Sequence, residues 1–162
     1  MAKQKIYAHL WYAEDAEAAA RLYTSIFPDS QVDRVTTLRS ESPSGPPGSV
    51  QIVDFRLFGQ RFQAMTAGPH HEFNDAISIV VLCDDQAELD RYWNALLDGG
   101  SPEQCGWLKD RFGLSWQIVP TVLVEMMAEP DRAKAKRASD AMMKMVKIDI
   151  AALQAAYAGT SG

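Results

Sequence analysis

Apolar residues recur along this chain in two rhythms, a period of two and a period near 3.6, and the order of the rhythms repeats. KIYAHLWY is short and rich in aromatic and apolar residues, which predicts a strand. AEDAEAAARLYTSIF follows with Ala16, Ala19, Ala20, Tyr23 and Phe27 near helical spacing, Asp15 as candidate cap and Pro28 as stop. QVDRVTTLR predicts another strand, and SESPSGPPGS, dense in proline and glycine, predicts an irregular loop. In VQIVDFRLFGQRFQAM, Val53, Phe55 and Leu57 alternate with Asp54 and Arg56 before a turn at Phe58, Gly59 and Gln60, which predicts a hairpin.

The same order then returns. AISIVVLCDD predicts a strand, DQAELDRYWNALLDGG a helix stopped by Gly99 and Gly100, and KDRFGLSWQIVP a strand pair ending at Pro120. FGQRFQAM and FGLSWQIV are nearly one pattern. A shift of 70 places Asp15 on Asp85, Arg21 on Arg91, Tyr23 on Trp93 and Phe27 on Leu97, and a shift of 54 places Phe58, Gly59 and Gln63 on Phe112, Gly113 and Gln117. The changed offset assigns about 16 extra residues to the first copy, and the Pro- and Gly-rich loop is where an insertion costs least. Beyond Pro120 the chain reads as helical in about three pieces, divided near Pro130 and Ile148. Met126, Met127, Met142, Met143 and Met145 suggest an apolar stripe suited to core or to a subunit contact. The expected organisation is a single domain over 1–162, with module one at about 4–68, module two at about 72–120 and C-terminal helices at about 121–160.

Composition narrows the partners. With 162 residues, 47% of them hydrophobic, the chain suffices for one buried core, and a net charge of −5 without a basic stripe argues against nucleic acid. No apolar run reaches the roughly 18–20 residues of a membrane span. The opening MAKQKIYAHL lacks a signal peptide's apolar stretch, so a cytoplasmic protein with Cys83 and Cys105 as free thiols is expected.

Duplicated strand-helix-strand-strand-strand modules resemble the vicinal oxygen chelate superfamily of glyoxalases and bleomycin resistance proteins. AEAAARLYTSIFPDS, FNDAISIVVLCDD, QAELDRYWNALLDGG and especially CGWLKDRFGLSWQIVP are similar to its PhnB-like branch. The run Cys105, Gly106, Trp107, Asp110, Gly113, Ser115, Trp116, Gln117 carries the most specific part of that likeness. The resemblance implies an α+β fold of paired βαβββ modules with a helical C-terminal extension, and a homodimer joined at module edges. Many members are labelled 3-demethylubiquinone-9 3-methyltransferase. Methyl transfer finds no support in the residues, since Gly99 and Gly100 end a helix and no Gly-rich turn opens one.

In the superfamily's metalloenzymes, two early-strand His-type residues and two late-strand Glu-type residues hold the metal. Those positions fall here on Ala8, Gln63, Ser78 and Gln117, a set without imidazole, thiolate or carboxylate, so no metal and no cofactor are expected. A one-residue slip would substitute His9 for Ala8; otherwise His9 is expected against the first helix or at the strand edge. Paired amides suit a polar, uncharged ligand head. The candidate site for a small organic ligand therefore comprises Gln63, Gln117, Ser78 and Ser115, aromatic walls from Trp11, Trp107 and Trp116, with His9 and Cys105 as further candidates. His70 and His71 read as a solvated surface pair, and Asp110 as a turn and ion-pair residue. Cys105 would need a neighbour such as Lys109 or His9 to become a nucleophile. Two alternatives stand beside the binding protein: a metal-dependent glyoxalase- or dioxygenase-like enzyme that recruits His9, His70 or Cys105, and the methyltransferase of the family label.

Overall fold

The computed structural model describes residues 4–160 and divides into two compact units, one extending to Phe73 and the other starting at Asn74. The first unit contains β1 (Ala8–Tyr12), α1 (Ala16–Ile26), β2 (Gln31–Thr37), β3 (Gln51–Leu57) and β4 (Gln60–Thr66). These strands form one sheet in the order β1-β4-β3-β2, with β1 parallel to β4 and the other pairs antiparallel. The second unit repeats the plan with β5 (Ile79–Cys83), α2 (Gln86–Leu97), β6 (Ser101–Pro102), β7 (Trp107–Lys109) and β8 (Ser115–Pro120), ordered β5-β8-β7-β6. The two-residue β6 is too short for any alternation, so its residues carry no strand signal. The architecture is the α+β fold of paired βαβββ modules, of glyoxalase and bleomycin resistance type, with a helical extension.

Alternation decides which face of each sheet is covered. In the first unit Leu10, Tyr12, Val53, Phe55, Leu57 and Ala64 are buried, beneath an α1 that turns inward its small residues Ala16, Ala19 and Ala20 together with Tyr23. Small side chains let the helix approach closely. The Tyr12 and Tyr23 hydroxyls share a 3.0 Å hydrogen bond, so these aromatics are buried without orphaning their polar ends. In the second unit α2 supplies Leu89, Tyr92, Trp93 and Leu96, the i, i+3, i+4, i+7 pattern of one helical face, over Val81, Cys83, Leu108, Trp116 and Ile118. Each sheet keeps its other face open, uncovered by its own helix.

The two helices begin differently. Asp85 caps α2 by accepting from the Glu88 backbone N–H at 2.8 Å. Asp15 occupies the matching place before α1, but its backbone is left-handed (φ 62°) and its side chain forms no cap bond. The Ala16 N–H goes instead to the Thr66 hydroxyl at 3.0 Å. The cause is length. Three residues, Ala13, Glu14 and Asp15, connect β1 to α1, whereas Asp84 and Asp85 alone connect β5 to α2. The Asp15 backbone turns left-handed where the extra residue is accommodated.

The C-terminal extension comprises α3 (Thr121–Ala128), α4 (Arg132–Met142) and α5 (Ile150–Ala158). Residues 143–149 tie it to the second unit. The Cys105 and Gly106 N–H groups donate to the Met145 and Val146 carbonyls at 2.8 and 2.7 Å, and the Gln86 amide bonds both Ile148 O and Ile150 N. Lys147 pairs with Asp90 at 2.7 Å, and Ile148 is fully buried. The expected methionine stripe does not form. Met126 is buried, whereas its neighbour Met127 on the same helix points elsewhere and is 40% exposed, and Met143, past the end of α4, is 62% exposed.

Gly100 sits where a Cβ would lie 2.1 Å from the Lys109 carbonyl oxygen, whereas Gly99 acts through its left-handed backbone at φ 76°. Gly100→Ala is therefore expected to destabilise the protein by about 2 kcal/mol or more, and Gly99→Ala by about 1–2 kcal/mol. Urea unfolding of both variants beside the parent checks this order.

Candidate functional site: a polar row across the first sheet

Register places four polar side chains in one line on the open face of the first sheet. His9 on β1 stands opposite Gln63 on β4, Gln63 opposite Asp54 on β3, and Asp54 opposite Arg34 on β2. They are joined in sequence. His9 Nδ1 lies 2.8 Å from Gln63 Oε1, Gln63 Nε2 donates to Asp54 Oδ1 at 2.9 Å, and Arg34 donates to Asp54 Oδ2 at 2.8 Å. Arg61 adds a second guanidinium on Asp54 Oδ1 at 3.0 Å, and its central carbon lies 4.0 Å from the centroid of the Tyr7 ring. The row crosses all four strands, about 14 Å at ordinary strand spacing.

Asp54 is the centre of the row. It is only 6% exposed, and burial alone raises the pKa of its carboxyl. Hydrogen bonds from Arg34, Gln63 and Arg61 outweigh that effect and hold the carboxyl below its ordinary 3.8. Asp54 and its two arginines were not among the expected site residues. The available signal was a carboxylate alternating with the apolar Val53 and Phe55, with arginines on neighbouring strands.

Of the two places expected for His9, it takes the strand edge, on the face turned away from α1. Ala8 is in register with Phe62, on the α1 side, and His9 faces out with Gln63. The reason is again the connector. The helices match at a shift of 70, but the strands match at 71, because β5 reaches its helix one residue sooner. A one-residue difference reverses every side chain of a strand. The counterpart of His9 is therefore Val80, in register with Gln117, and Ser78 corresponds to Tyr7 rather than Ala8. Trp11 shares the face of His9, donates from Nε1 to Gly68 O at 2.9 Å, and meets His71 and His70 edge-on at centroid distances of 4.7 and 6.3 Å. The two histidines are exposed, as expected of a surface pair, and both also meet the indole edge-on.

The open face of the second sheet is different in character. Gln117 stands between Val80 and Trp107, and its Nε2 donates to the Ser78 hydroxyl at 2.8 Å. Ser115 is fully buried and donates to Asp75 at 3.2 Å, and Asp75 also receives Lys109 at 2.9 Å. Val80 and Leu82 remain 51% and 52% exposed. Trp116 does not line this face. It is 1% exposed beneath α2, and its Nε1 donates to Asp110 Oδ2 at 2.8 Å, since neighbouring residues of a strand point to opposite faces and Trp116 is next to Gln117. Asp110 also accepts from the Phe112 and Leu114 N–H groups, which makes it the organiser of the β7–β8 turn, while Arg111 pairs with Asp98. The Cys105 thiol contacts Met143 Sδ at 3.7 Å and bonds none of the other candidates, and Lys109 is held by Asp75 and Glu103. Cys83 is buried, which pushes its thiol up to about 12.

The donor chemistry does not fit a catalytic divalent ion. In the first unit the late-strand position is an amide already bonded at both ends, and the early-strand imidazole is bonded to it. In the second unit the two positions are Val80 and Gln117. Among the described residues no three His, Cys, Asp or Glu side chains cluster to hold a metal.

Two mixed four-stranded modules of this kind define the vicinal oxygen chelate class. Residues 4–119 match the family model described as 3-demethylubiquinone-9 3-methyltransferase, and the chain belongs to that family, the PhnB-like branch of the superfamily. Among solved structures it is similar to the PhnB protein of Bacillus cereus, itself described as a 3-demethylubiquinone-9 3-methyltransferase. That likeness has 29% identity and a TM-score of 0.64, and covers 73% of this chain and 100% of that one. A Pseudomonas aeruginosa protein shares the fold at 20% identity and a TM-score of 0.56, over 73% and 98% of the two chains. The fosfomycin resistance protein FosX of Mesorhizobium loti does so at 16% identity and 0.56, over 80% and 100%. No curated protein matches the chain.

The depressed Asp54 value has a definite sign in stability. Its contribution is fully present above the ordinary value of 3.8, where the unfolded carboxyl is also ionised, and is lost as pH falls through the lower folded value. Asp54→Asn is expected to flatten the acid arm of the stability curve and to cost about 1–3 kcal/mol at neutral pH, by removing a charged acceptor from two guanidiniums. Urea melts at neutral pH and below about pH 4 test both parts.

Proposed function

We propose that this protein binds a small organic ligand without a metal, through the open faces of its modules, with His9, Trp11 and Gln63 on the first and Ser78, Trp107 and Gln117 on the second, while the fully buried Ser115 takes no part. One observation carries the reading. At the matching late-strand positions both modules hold glutamine, and each amide is oriented by a neighbour, Gln63 by Asp54 and Gln117 by Ser78. Oriented amides recognise polar groups by geometry while leaving the site without a strong metal donor. Trp107 and the exposed Val80 and Leu82 supply apolar surface beside Gln117.

Methyl transfer, the chemistry of the family description, would require a place for a methyl donor. The strand-to-helix connectors here, Ala13 to Asp15 and Asp84 to Asp85, contain no glycine that would let a backbone approach a cofactor. The two unpaired thiols support residence in the cytoplasm. No helix among the described residues is long and apolar enough to cross a membrane. We further propose a homodimer, because β1 and β5 each end a sheet with unpaired backbone groups.

Elemental analysis before and after mild chelation is expected to find no stoichiometric metal and an unchanged melting temperature. Metal that returns after stripping would overturn the reading in favour of a metal-dependent enzyme using His9. Sedimentation of the same sample is expected to give twice the chain mass of 17.9 kDa; a monomer would remove the dimer.

A further inference from the structure

Every polar atom of the row in the first sheet is committed except at its ends. The Asp54 carboxylate, which only accepts, takes bonds from Arg34, Arg61 and Gln63. The NH₂ group of Gln63 must therefore face Asp54. Its carbonyl oxygen then faces His9 Nδ1 at 2.8 Å, and a carbonyl receives only a proton-bearing nitrogen. Asp54 in this way determines, through Gln63, which nitrogen of His9 carries the proton of the neutral ring. Nε2 is left with its lone pair, on an exposed side chain, and has no bonding partner among the described residues. Two residues along the same strand face, Trp11 offers an indole held by Gly68 O and flanked by His71.

We propose that His9 Nε2 is the hydrogen-bond and proton acceptor for a ligand bearing a phenol or enol hydroxyl, with Asp54 and Gln63 as positioning residues and Trp11 beside the ligand's planar ring. This rests on the ligand-binding reading above and assigns its chemical class. The hydroxyl donates to Nε2. Where the proton transfers fully, the ligand becomes a phenolate or enolate and His9 an imidazolium, whose Nδ1–H stays on the Gln63 carbonyl. The positive charge stays on the ring, faced by the Gln63 carbonyl dipole that Asp54 orients, and no proton passes along the row. Val80 at the matching place of the second sheet cannot accept a proton, so the acceptor belongs to module one.

The test has two independent arms. Long-range proton–nitrogen NMR of the 15N-labelled protein, at a pH where the ring is neutral, is expected to show His9 protonated at Nδ1 with an unprotonated Nε2. Gln63→Met, which keeps side-chain volume and leaves Asp54 in place, is expected to move the ring toward the Nε2–H form, as is Asp54→Asn where that variant folds. An Nε2–H ring in the parent, or no change in Gln63→Met, would overturn the positioning relay whether or not the protein binds a ligand. In the second arm 4-nitrophenol serves as probe. It is expected to bind with its absorbance shifted toward the phenolate, and to bind at least tenfold more weakly to His9→Phe. No binding to the parent, or equal binding to both, would overturn the hydroxyl ligand class. Stoichiometric metal in the untreated protein would instead sink the metal-free reading, and the tautomer result would stand apart from it.

Discussion

A carboxylate enclosed within a sheet is tolerable only if its lone pairs are filled, and Asp54 imposes that condition on the first module. Its two oxygens draw Arg34 from β2, Arg61 and Gln63 from β4, and through Gln63 reach His9 on β1. Removing one partner would leave a buried charge short of compensation, which is why such networks hold a single arrangement. The open face of this sheet is thereby fixed in side-chain orientation, and not only in backbone register.

The second module shows what the same backbone does without that constraint. Gln117 occupies the place of Gln63, but Trp107 stands where Asp54 would be and Val80 where His9 would be. No carboxylate stands in register with Gln117, so the amide turns to Ser78, and Val80 and Leu82 leave apolar surface exposed beside it. Duplication preserved the ladder and its period, and the two faces then diverged, one toward directed polar contacts and the other toward apolar contact. The extension is tied to the second module through Gln86, Cys105 and Gly106. Gly106 has no room for a side chain, since a Cβ there would meet Ile118 O at 2.9 Å and Ile148 at 3.0 Å.

The connectors explain why one residue matters so much. An αL residue at Asp15 lengthens the path from β1 to α1 by one position relative to the second module, while the helix phase is unchanged. Helices matched at a shift of 70 and strands matched at 71 bury equivalent faces, yet a comparison of letters at a single shift sees only the helices. The penalty for the wrong strand shift is a full reversal of face.

Period-two and period-3.6 patterning in the sequence already determined the strand-helix order, the duplication, the three helical pieces of the extension and the equivalence of Gln63 with Gln117, because each of these is local or repeats locally. Resemblance in the CGWLKDRFGLSWQIVP segment supplied the family. Tertiary structure alone decided that His9 and not Ala8 shares the face of Gln63, that Trp116 belongs to the core, and that the five methionines have no common stripe. It alone brought Asp54 to Arg34 and Arg61, residues separated by 20 and 7 positions. The physical reason is register. Which residues stand opposite one another depends on connector lengths and bulges summed along the chain, and no window of sequence contains that sum.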